Sequence, residues 1–247
     1  MIELEGKTAL VTGGAKRLGA AIVRSLASRG VRTVVHYHTA ENEAHALVAS
    51  LRADGAEAWC FGADLSGPAR GEALLDAAWK SAGAMDYLVN SASIFPEGTL
   101  EQLSEDTLLE SVRVNALAPF ALCCGFAARS EGGAIVNLLD TRITDYDRNH
   151  VPYHLSKRML FSLTRMMAVE FAPGIRVNAV APGLVLPPAG KDEAYLAGLA
   201  HTNPLDRYGS AEDVAEAVVF ALRSDFMTGQ TIFVDGGRHL RGSMYAY

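Results

Sequence analysis

The sequence predicts an α/β fold in which helices cover both faces of one parallel sheet. Three observations predict it. Short runs of β-branched and other apolar residues alternate with amphipathic helical stretches along the 247 residues. A glycine-rich turn follows the first of these runs and opens a helix. No linker rich in proline, glycine or serine interrupts the chain, so we expect one domain over residues 1–247, with 238–247 as a C-terminal tail.

The predicted strands and helices follow one another in alternation. Apolar runs bounded by turn residues predict strands at residues 8–12, 32–37, 57–61, 87–90, 134–139, 176–180 and 231–234. Amphipathic patterns predict helices near residues 17–29, 41–53, 69–82, 104–129, 152–171 and 211–223. Right-handed crossovers then give a single Rossmann-type doubly wound domain with a seven-stranded parallel sheet. Its ligand crevice should lie at the carboxyl ends of the strands, where the loops after Thr12, Asn90, Leu139 and Ala181 converge.

The bulk composition favours a small-molecule substrate. Apolar residues make up 49 % and charged residues 20 % of the chain, which is ordinary for a globular protein and excludes a disordered class. The net charge is −6 and the chain has no basic block. This charge argues against nucleic acid, and against an anionic membrane, as the main partner.

The chain shows no pattern for export or for a membrane span. Its first residues lack a basic, apolar signal, and the longest uncharged stretch, residues 114–128, is shorter than a bilayer span and contains Pro119. Cys60, Cys123 and Cys124 have no metal-ligand spacing and are interpreted as small apolar fillers in a reducing compartment. We therefore expect a soluble, cytoplasmic protein.

The glycine-rich turn at residues 12–19 predicts a dinucleotide site. Glycines permit a tight turn and a close approach of the backbone, and the N-terminus of the following helix faces the pyrophosphate. We expect cofactor contacts from Gly13, Lys16, Arg17, Leu18 and Gly19. The alternatives are a glycine turn without a ligand and, for Arg17, a solvated residue at the start of the helix.

The end of the second strand favours NADPH over NADH. An NAD enzyme usually places an acid there to hold the ribose 2′-hydroxyl, but this chain has His36 and His38 and no carboxylate before Glu41. Nearby cations favour a 2′-phosphate. After the third strand, Asp64 and Leu65 are placed to meet the adenine, although Asp64 could equally be a turn or helix-capping residue.

Two histidine pairs have a spacing that could suit a metal. His36 and His38 share a strand face, and His150 and His154 lie one helical turn apart. Neither pair has an evident third ligand, so we expect no metal site.

The reacting groups are expected between residues 140 and 157. Tyr153 and Lys157 lie four residues apart in a predicted helix, which puts phenol and ammonium on one face. Together with a dinucleotide site, this pair indicates hydride transfer. Asp140 ends the fifth strand where a carbonyl reductase of this architecture would carry a hydroxyl, so the acceptor is expected to differ from an ordinary ketone. As an alternative, Asp140 caps a turn.

The motifs together resemble the short-chain dehydrogenase/reductase family along essentially the whole chain. They are Thr-Gly-x3-Arg-x-Gly at 12–19, Asn-Ser-Ala-Ser at 90–93, Val-Asn-Ala at 114–116, Tyr-x3-Lys at 153–157, Ala-Pro-Gly at 181–183 and Val-Asp-Gly-Gly at 234–237. Within the family, the segments around Arg17, His36, Phe95, Asp140 and Arg238 are similar to the pteridine reductases and the bacterial dihydromonapterin/dihydrofolate reductases.

The resemblance implies a role for each matching residue. Arg17 and Ser93 would contact the cofactor phosphates and the pterin edge, and Phe95 would stack on the flat heterocycle opposite the nicotinamide. Lys157 would hold the ribose, and Asn115 would maintain the water and proton path to it. Asp140 with Tyr153 would supply the proton. Further cofactor contacts are implied for Asn90, Ala92, Pro182 and Gly183. The chain departs from the pteridine reductases at Thr39, where an arginine would help to grip the 2′-phosphate.

A carboxylate beside the phenol suits a pterin better than a ketone. A negative charge there disfavours tyrosinate, so Tyr153 would stay protonated. Reduction of a C=N bond requires a proton at the ring nitrogen, which an Asp140–Tyr153 relay can deliver.

Other interpretations stay open. The chain could be a carbonyl or 3-oxoacyl thioester reductase in which Asp140 is tolerated, or a binding protein that keeps the cofactor fold. Phe95 could be a loop residue that fills the core. The apolar faces of the helices near 104–129 and 152–171 predict a homotetramer built about two-fold axes, as in the family, with a tail able to reach a neighbouring active site.

Overall fold

The structure is a computed structural model that describes residues 1–67, 70–145, 147–188 and 190–241. These residues form strands β1 Thr8–Thr12, β2 Arg32–Tyr37, β3 Ala58–Gly62, β4 Tyr87–Asn90, β5 Gly133–Leu138, β6 Ile175–Pro182 and β7 Thr231–Val234. All pair in parallel, in the order β3-β2-β1-β4-β5-β6-β7. The predicted Rossmann-type fold with a seven-stranded parallel sheet is confirmed.

The helices form a layer on each face of the sheet. They are α1 Arg17–Ala27, α2 Glu41–Ala53, α3 Arg70–Ala82, α4 Glu105–Val112, α5 Ala118–Ala127, α6 Val151–Glu170, α7 Glu193–Leu199, α8 Ala211–Arg223 and α9 Arg238–Arg241. One apolar cluster joins α1, α2 and α8 to the sheet. A second joins α3, α5 and α6 to the opposite face. Because both faces are covered, the central strands are apolar throughout rather than alternating.

The long helix predicted near 104–129 is two α-helices joined by a π-helical turn, Arg113–Leu117. Pro119 explains the interruption. It has no backbone N–H, so it cannot close the α-helical hydrogen bond to the carbonyl of Asn115, four residues earlier. The turn brings Asn115, which is fully buried, into the region of the predicted active site.

The stretch Glu105–Ala127, counted through this turn, is apolar and long enough to cross a membrane by length and composition alone, with a mean hydropathy of 1.2. Its second half, α5, packs against α3 and α6 within one helical layer of the α/β fold. The core helices of soluble proteins have the same properties, so one helix of this kind is weak evidence for a membrane span.

Several strand boundaries differ slightly from the predicted ones. β3 begins one residue later than predicted, β5 one residue earlier, and β6 is longer at both ends. The helices α7 and α9 were not predicted, because seven and four residues are too few to show helical periodicity. The end of the predicted tail, residues 242–247, lies outside the described residues.

Candidate active site

A cleft of about 420 Å³ lies at the carboxyl ends of β1, β2 and β4, where the cofactor was predicted. The glycine turn, the end of β2 and the loop after β4 form its walls. The structure thereby brings together predicted residues from four parts of the sequence: Gly13, Lys16, His36, His38, Asp64, Leu65, Ala92 and Ser93.

The glycine turn packs too closely for side chains. A Cβ at Gly13, which has a φ of +62°, would lie 2.8 Å from Ala92 Cα, and a Cβ at Gly19 would lie 2.1 Å from the Gly13 carbonyl oxygen. The first turn of α1 has no acidic residue, and its N-cap residue Lys16 makes no side-chain capping bond. The backbone N–H groups at the start of α1 therefore suit a phosphate.

His36 supports the turn rather than offering a free ring nitrogen to a cofactor. Its Nδ1 accepts a 3.1 Å hydrogen bond from the Gly13 N–H, and its Nε2 lies 2.9 Å from the Ala63 carbonyl oxygen, to which it donates. Burial lowers the pKa of this histidine. The ring ties the glycine turn to the residue that follows β3, and His36 also lines the cleft, so its contact with a cofactor stays a prediction.

Two basic side chains near the cleft, Lys16 and Arg17, have partners within the protein. Lys16 Nζ lies 3.3 Å from Glu43 Oε1, while His38 and Thr39 are exposed at the end of β2. The guanidinium of Arg17 donates to the carbonyl oxygen of Pro187, in the loop after β6. Arg17 therefore lies between the cofactor turn and that loop.

Four further predicted cofactor residues make contacts within the protein. Asn90 is buried, and its Nδ2 donates to Asn137 Oδ1 at 2.9 Å in the core. Leu18 packs against the cluster under α1. Pro182 ends β6, and the Gly183 N–H donates to the Val234 carbonyl oxygen at 3.0 Å, which fixes both residues against β7. Asn90 and Pro182 are buried, whereas Leu18 and Gly183 are partly exposed, and the cofactor contacts of all four stay predictions.

Asp64 behaves as its alternative interpretation predicted, since its Oδ1 accepts a 2.9 Å hydrogen bond from the Ser66 N–H in a turn. The turn nevertheless lines the cleft, together with the largely buried Leu65. Asp64 is thus a turn residue at the edge of the cleft, and its contact with the adenine stays a prediction.

The three predicted reacting groups meet at the start of α6. The Tyr153 hydroxyl donates to Asp140 Oδ2 at 3.1 Å. Lys157 Nζ donates to the Leu138 carbonyl oxygen at 2.7 Å and lies 5.7 Å from the centroid of the Tyr153 ring. Phenol, carboxylate and ammonium therefore form one group at the end of β5.

The electrostatics of this group keep the proton on the phenol. Burial raises the pKa of Tyr153 well above its ordinary 10.0, and the charge and hydrogen bond of Asp140 raise it further. Burial lowers the pKa of Lys157 from 10.5 to about 8, against the opposing charge of Asp140. A tyrosinate is strongly disfavoured here.

Asp140 also caps a turn. Its Oδ1 accepts a 2.8 Å hydrogen bond from the Arg142 N–H at the start of the 3₁₀ turn Thr141–Ile143. Because Oδ2 accepts from Tyr153 at the same time, Asp140 both caps the turn and contacts the phenol. The capping bond orients the carboxylate towards the phenol.

Asn115 organises the loop after β4. Its Oδ1 accepts from the Ile94 N–H at 2.9 Å and from Ser93 Oγ at 3.0 Å, and its Nδ2 donates to the Ile94 carbonyl oxygen and to Ser156 Oγ, both at 3.0 Å. Among the described residues no direct hydrogen bond joins this side chain to Lys157, and the role of Asn115 in a water and proton path to the lysine stays a prediction.

Phe95 projects from that loop and is 44 % exposed, so the interpretation as a core residue is wrong. Its ring is perpendicular to that of Tyr153, with centroids 4.6 Å apart, and is stacked on that of His150, with centroids 3.9 Å apart.

Asp147, which binds both His150 and His154, was not predicted to have a role. The sequence indicated only the spacing of the two histidines. The described residues contain no group of three or more histidine, cysteine or acidic side chains that could hold a metal ion.

Arg238, at the start of α9, was likewise given no role from the sequence. Asp235 accepts from Thr141 Oγ1 and His239 Nδ1 and so holds α9 beside the turn that follows Asp140.

Comparison with known proteins finds similarity along the whole fold. Residues 13–239 match the family described as enoyl-(acyl carrier protein) reductase, a short-chain dehydrogenase/reductase type. FolM alternative dihydrofolate reductase 1 from Brucella suis, in complex with NADP, is 33 % identical, covers 97 % of both chains and superposes with a TM-score of 0.91. Its Brucella canis counterpart, complexed with NADP, is 33 % identical, with 97 % and 96 % coverage and a TM-score of 0.89.

A curated relative carries a different activity in its name. Granaticin polyketide synthase putative ketoacyl reductase 2 from Streptomyces violaceoruber is 32 % identical over 246 residues, which is 96 % of this chain and 97 % of the relative.

Proposed function

The chain belongs to the short-chain dehydrogenase/reductase family and is an oxidoreductase of that family, and we propose that it is an NADPH-dependent pteridine reductase. Its substrate is a dihydropterin, with dihydrofolate and oxidised pterins as further candidate acceptors. The family assignment confirms the resemblance seen in the motifs. One observation carries the finer proposal: the hydrogen bond from Tyr153 to the carboxylate of Asp140.

The cofactor is NADP(H), as in the two Brucella structures. When bound, it supplies the hydride. The start of α1 would hold the pyrophosphate, while Lys16 and His38 face the position of a 2′-phosphate with no acid at the end of β2 to repel it. Lys157 would hold the ribose.

The chain's own residues handle the proton. Hydride addition to the carbon of a C=N bond leaves an electron pair on nitrogen, which needs a proton. Tyr153 gives its hydroxyl proton to that nitrogen, and the half-buried Asp140 takes up a proton from solvent and passes it to the phenolate, so that both groups return to their starting state. Because the pKa of Tyr153 is raised, the phenolate is a strong base and is reprotonated at once.

Phe95, Ser93 and Arg17 form the proposed substrate wall. Phe95 offers an aromatic face, Ser93 lines the cleft from the loop after β4, and Arg17 begins α1 and donates to the carbonyl oxygen of Pro187. A flat heterocycle would stack on Phe95 while its polar edge meets the hydroxyl and the guanidinium.

A second candidate function is reduction of a carbonyl or a 3-oxoacyl thioester. The ketoacyl reductase named among the relatives favours it. In that case Asp140 would serve only as the cap of the turn Thr141–Ile143, with Tyr153 as the acid in the usual way.

We further propose a cytoplasmic homotetramer. The outward surfaces of α5 and α6 carry exposed apolar side chains, among them Phe120, Leu155 and Met159. Pairing of these helices about two-fold axes would cover them.

A substrate panel tests the proposed function. NADPH oxidation is followed with 7,8-dihydrobiopterin, dihydrofolate, oxidised biopterin, a β-ketoacyl thioester and simple ketones. The proposal predicts the highest kcat/KM for a reduced or oxidised pterin. Preference for the thioester would overturn it and favour the second candidate.

A further inference from the structure

The ring of His150 covers one face of Phe95. The two rings are nearly parallel, with an angle of 14° and centroids 3.9 Å apart. Phe95 still exposes 44 % of its surface. Its other ring contact is perpendicular, with the Tyr153 ring at a centroid distance of 4.6 Å, so the exposed part of the Phe95 ring can still take a second flat ring.

His150 is held in place by a partly buried hydrogen-bond network. Its Nδ1 donates to Asp147 Oδ1 at 3.1 Å, while His154 Nε2 donates to Asp147 Oδ2 at 3.0 Å. The Asn149 N–H adds a 2.8 Å bond to the same carboxylate. Burial raises the pKa of Asp147, but these hydrogen bonds outweigh burial and hold it well below its ordinary value. The ionised carboxylate, in the segment just before α6, thus fixes the imidazole of His150.

The loop that carries Phe95 is tied to the same segment through its backbone. The Gly98 N–H donates to the Asn149 carbonyl oxygen, and the Val151 N–H donates to the Gly98 carbonyl oxygen at 3.0 Å. Gly98 and His150 form a parallel bridge. Ring and loop are therefore anchored together beside Tyr153.

Resting on the proposed function, we propose that His150 is a positioning residue that holds Phe95 as the platform for a planar, conjugated heterocycle. The stack restricts the Phe95 ring before the substrate arrives, so less conformational freedom is lost on binding. An aliphatic acceptor gains nothing from the platform, because it has no ring to stack.

The test compares His150→Ala with His150→Phe, which keeps an aromatic ring at the position but loses the bond to Asp147. With NADPH saturating, KM and kcat are measured for 7,8-dihydrobiopterin and for a β-ketoacyl thioester. His150→Ala should raise KM for the pterin about three- to tenfold, the worth of one aromatic stack, with kcat within about twofold. KM for the thioester should not change, and His150→Phe should restore the pterin KM. Equal losses in both variants, or an equal rise for the thioester, would overturn the inference.

Binding of oxidised biopterin separates this inference from the proposed function. Its Kd is measured by calorimetry in the presence of NADP⁺. If the wild type binds biopterin but reduces no pterin, the proposed function fails. The inference about His150 then still predicts a higher Kd for biopterin in His150→Ala and a wild-type Kd in His150→Phe. If the wild type does not bind biopterin, the inference fails as well.

Discussion

The Tyr153 hydroxyl donates a 3.1 Å hydrogen bond to Oδ2 of Asp140, and the other carboxylate oxygen caps the turn that follows β5. The carboxylate is therefore oriented by the backbone before it meets the phenol. This arrangement gives the reaction its expected direction, because a phenol paired with a carboxylate holds its proton until a stronger base, the reduced ring nitrogen, takes it.

Turnover should fall as pH rises through about 8. Burial lowers the pKa of Lys157 to about 8, so above this pH the ammonium that would hold the ribose loses its charge. A pH profile of kcat/KM from 6 to 10 measures this fall, and a flat profile through pH 9.5 would contradict the assignment.

Stability should change in the opposite direction over that range. Between pH 8 and 10.5 the unfolded chain retains a lysine proton that the folded chain has released, so this group's contribution to the free energy of unfolding rises with pH. Thermal melting at each pH therefore shows whether the loss of turnover comes from the site or from unfolding.

NADPH should be preferred over NADH by about 10- to 100-fold in kcat/KM, the worth of one charge-assisted contact of roughly 1.5–3 kcal/mol. Lys16 and His38 lie near the proposed 2′-phosphate, and Thr39 is exposed at the same edge. Thr39→Arg should raise the preference further, whereas Thr39→Gln, similar in length but uncharged, should not. Equal kcat/KM for both cofactors in the wild type would contradict the proposed 2′-phosphate site.

Phe95→Ala should weaken pterin binding far more than cofactor binding. The substrate loses a stacking partner worth about 0.5–1.5 kcal/mol together with its buried area. The comparison is KM for the pterin against Kd for NADPH, with Phe95→Tyr as the control that keeps the ring. An unchanged KM with a weaker Kd would place Phe95 in the cofactor site.

The apolar surfaces of α5 and α6 should lie between subunits. Phe120 and Met159 are 39 % and 37 % exposed, so Phe120→Glu or Met159→Glu should dissociate the assembly by burying a charge at the contact. Light scattering should give four times the mass of one chain for the wild type and for Phe226→Glu, a control at a fully exposed position between α8 and β7. A fully active wild-type monomer at assay concentration would contradict the proposal.

The central strands of the sheet could be predicted from the sequence because they are buried on both faces. Every residue of β1 is buried, and an apolar run bounded by turn residues marks such a strand at both ends. The π-helical turn at Asn115 was not predicted, although Pro119 signals it. A proline four residues after a helical carbonyl removes that carbonyl's hydrogen-bond donor.

The candidate site was harder to predict where a side chain forms hydrogen bonds to other parts of the protein. The histidine at position 36 has the right place along the chain for a cofactor contact, but only the fold shows both its nitrogens engaged by Gly13 and Ala63. Likewise, nothing in the spacing of Asp147 reveals that it binds two histidines, since the turn that joins them is irregular.

The most direct test of the central claim is dihydropterin reduction by Asp140→Ser and Asp140→Asn from pH 5 to 8, with β-ketoacyl reduction in parallel. If Asp140 feeds a proton to Tyr153, wild-type pterin turnover should be highest on the acidic side of neutrality. Asp140→Ser should lose pterin reduction by roughly 10²–10⁴-fold, the usual worth of a positioned acid–base group, while any ketone reduction survives or rises. Asp140→Asn keeps the shape but cannot titrate, so it separates proton supply from packing. Pterin reduction at the wild-type rate in both variants across this pH range would contradict the relay and leave Asp140 as the cap of its turn.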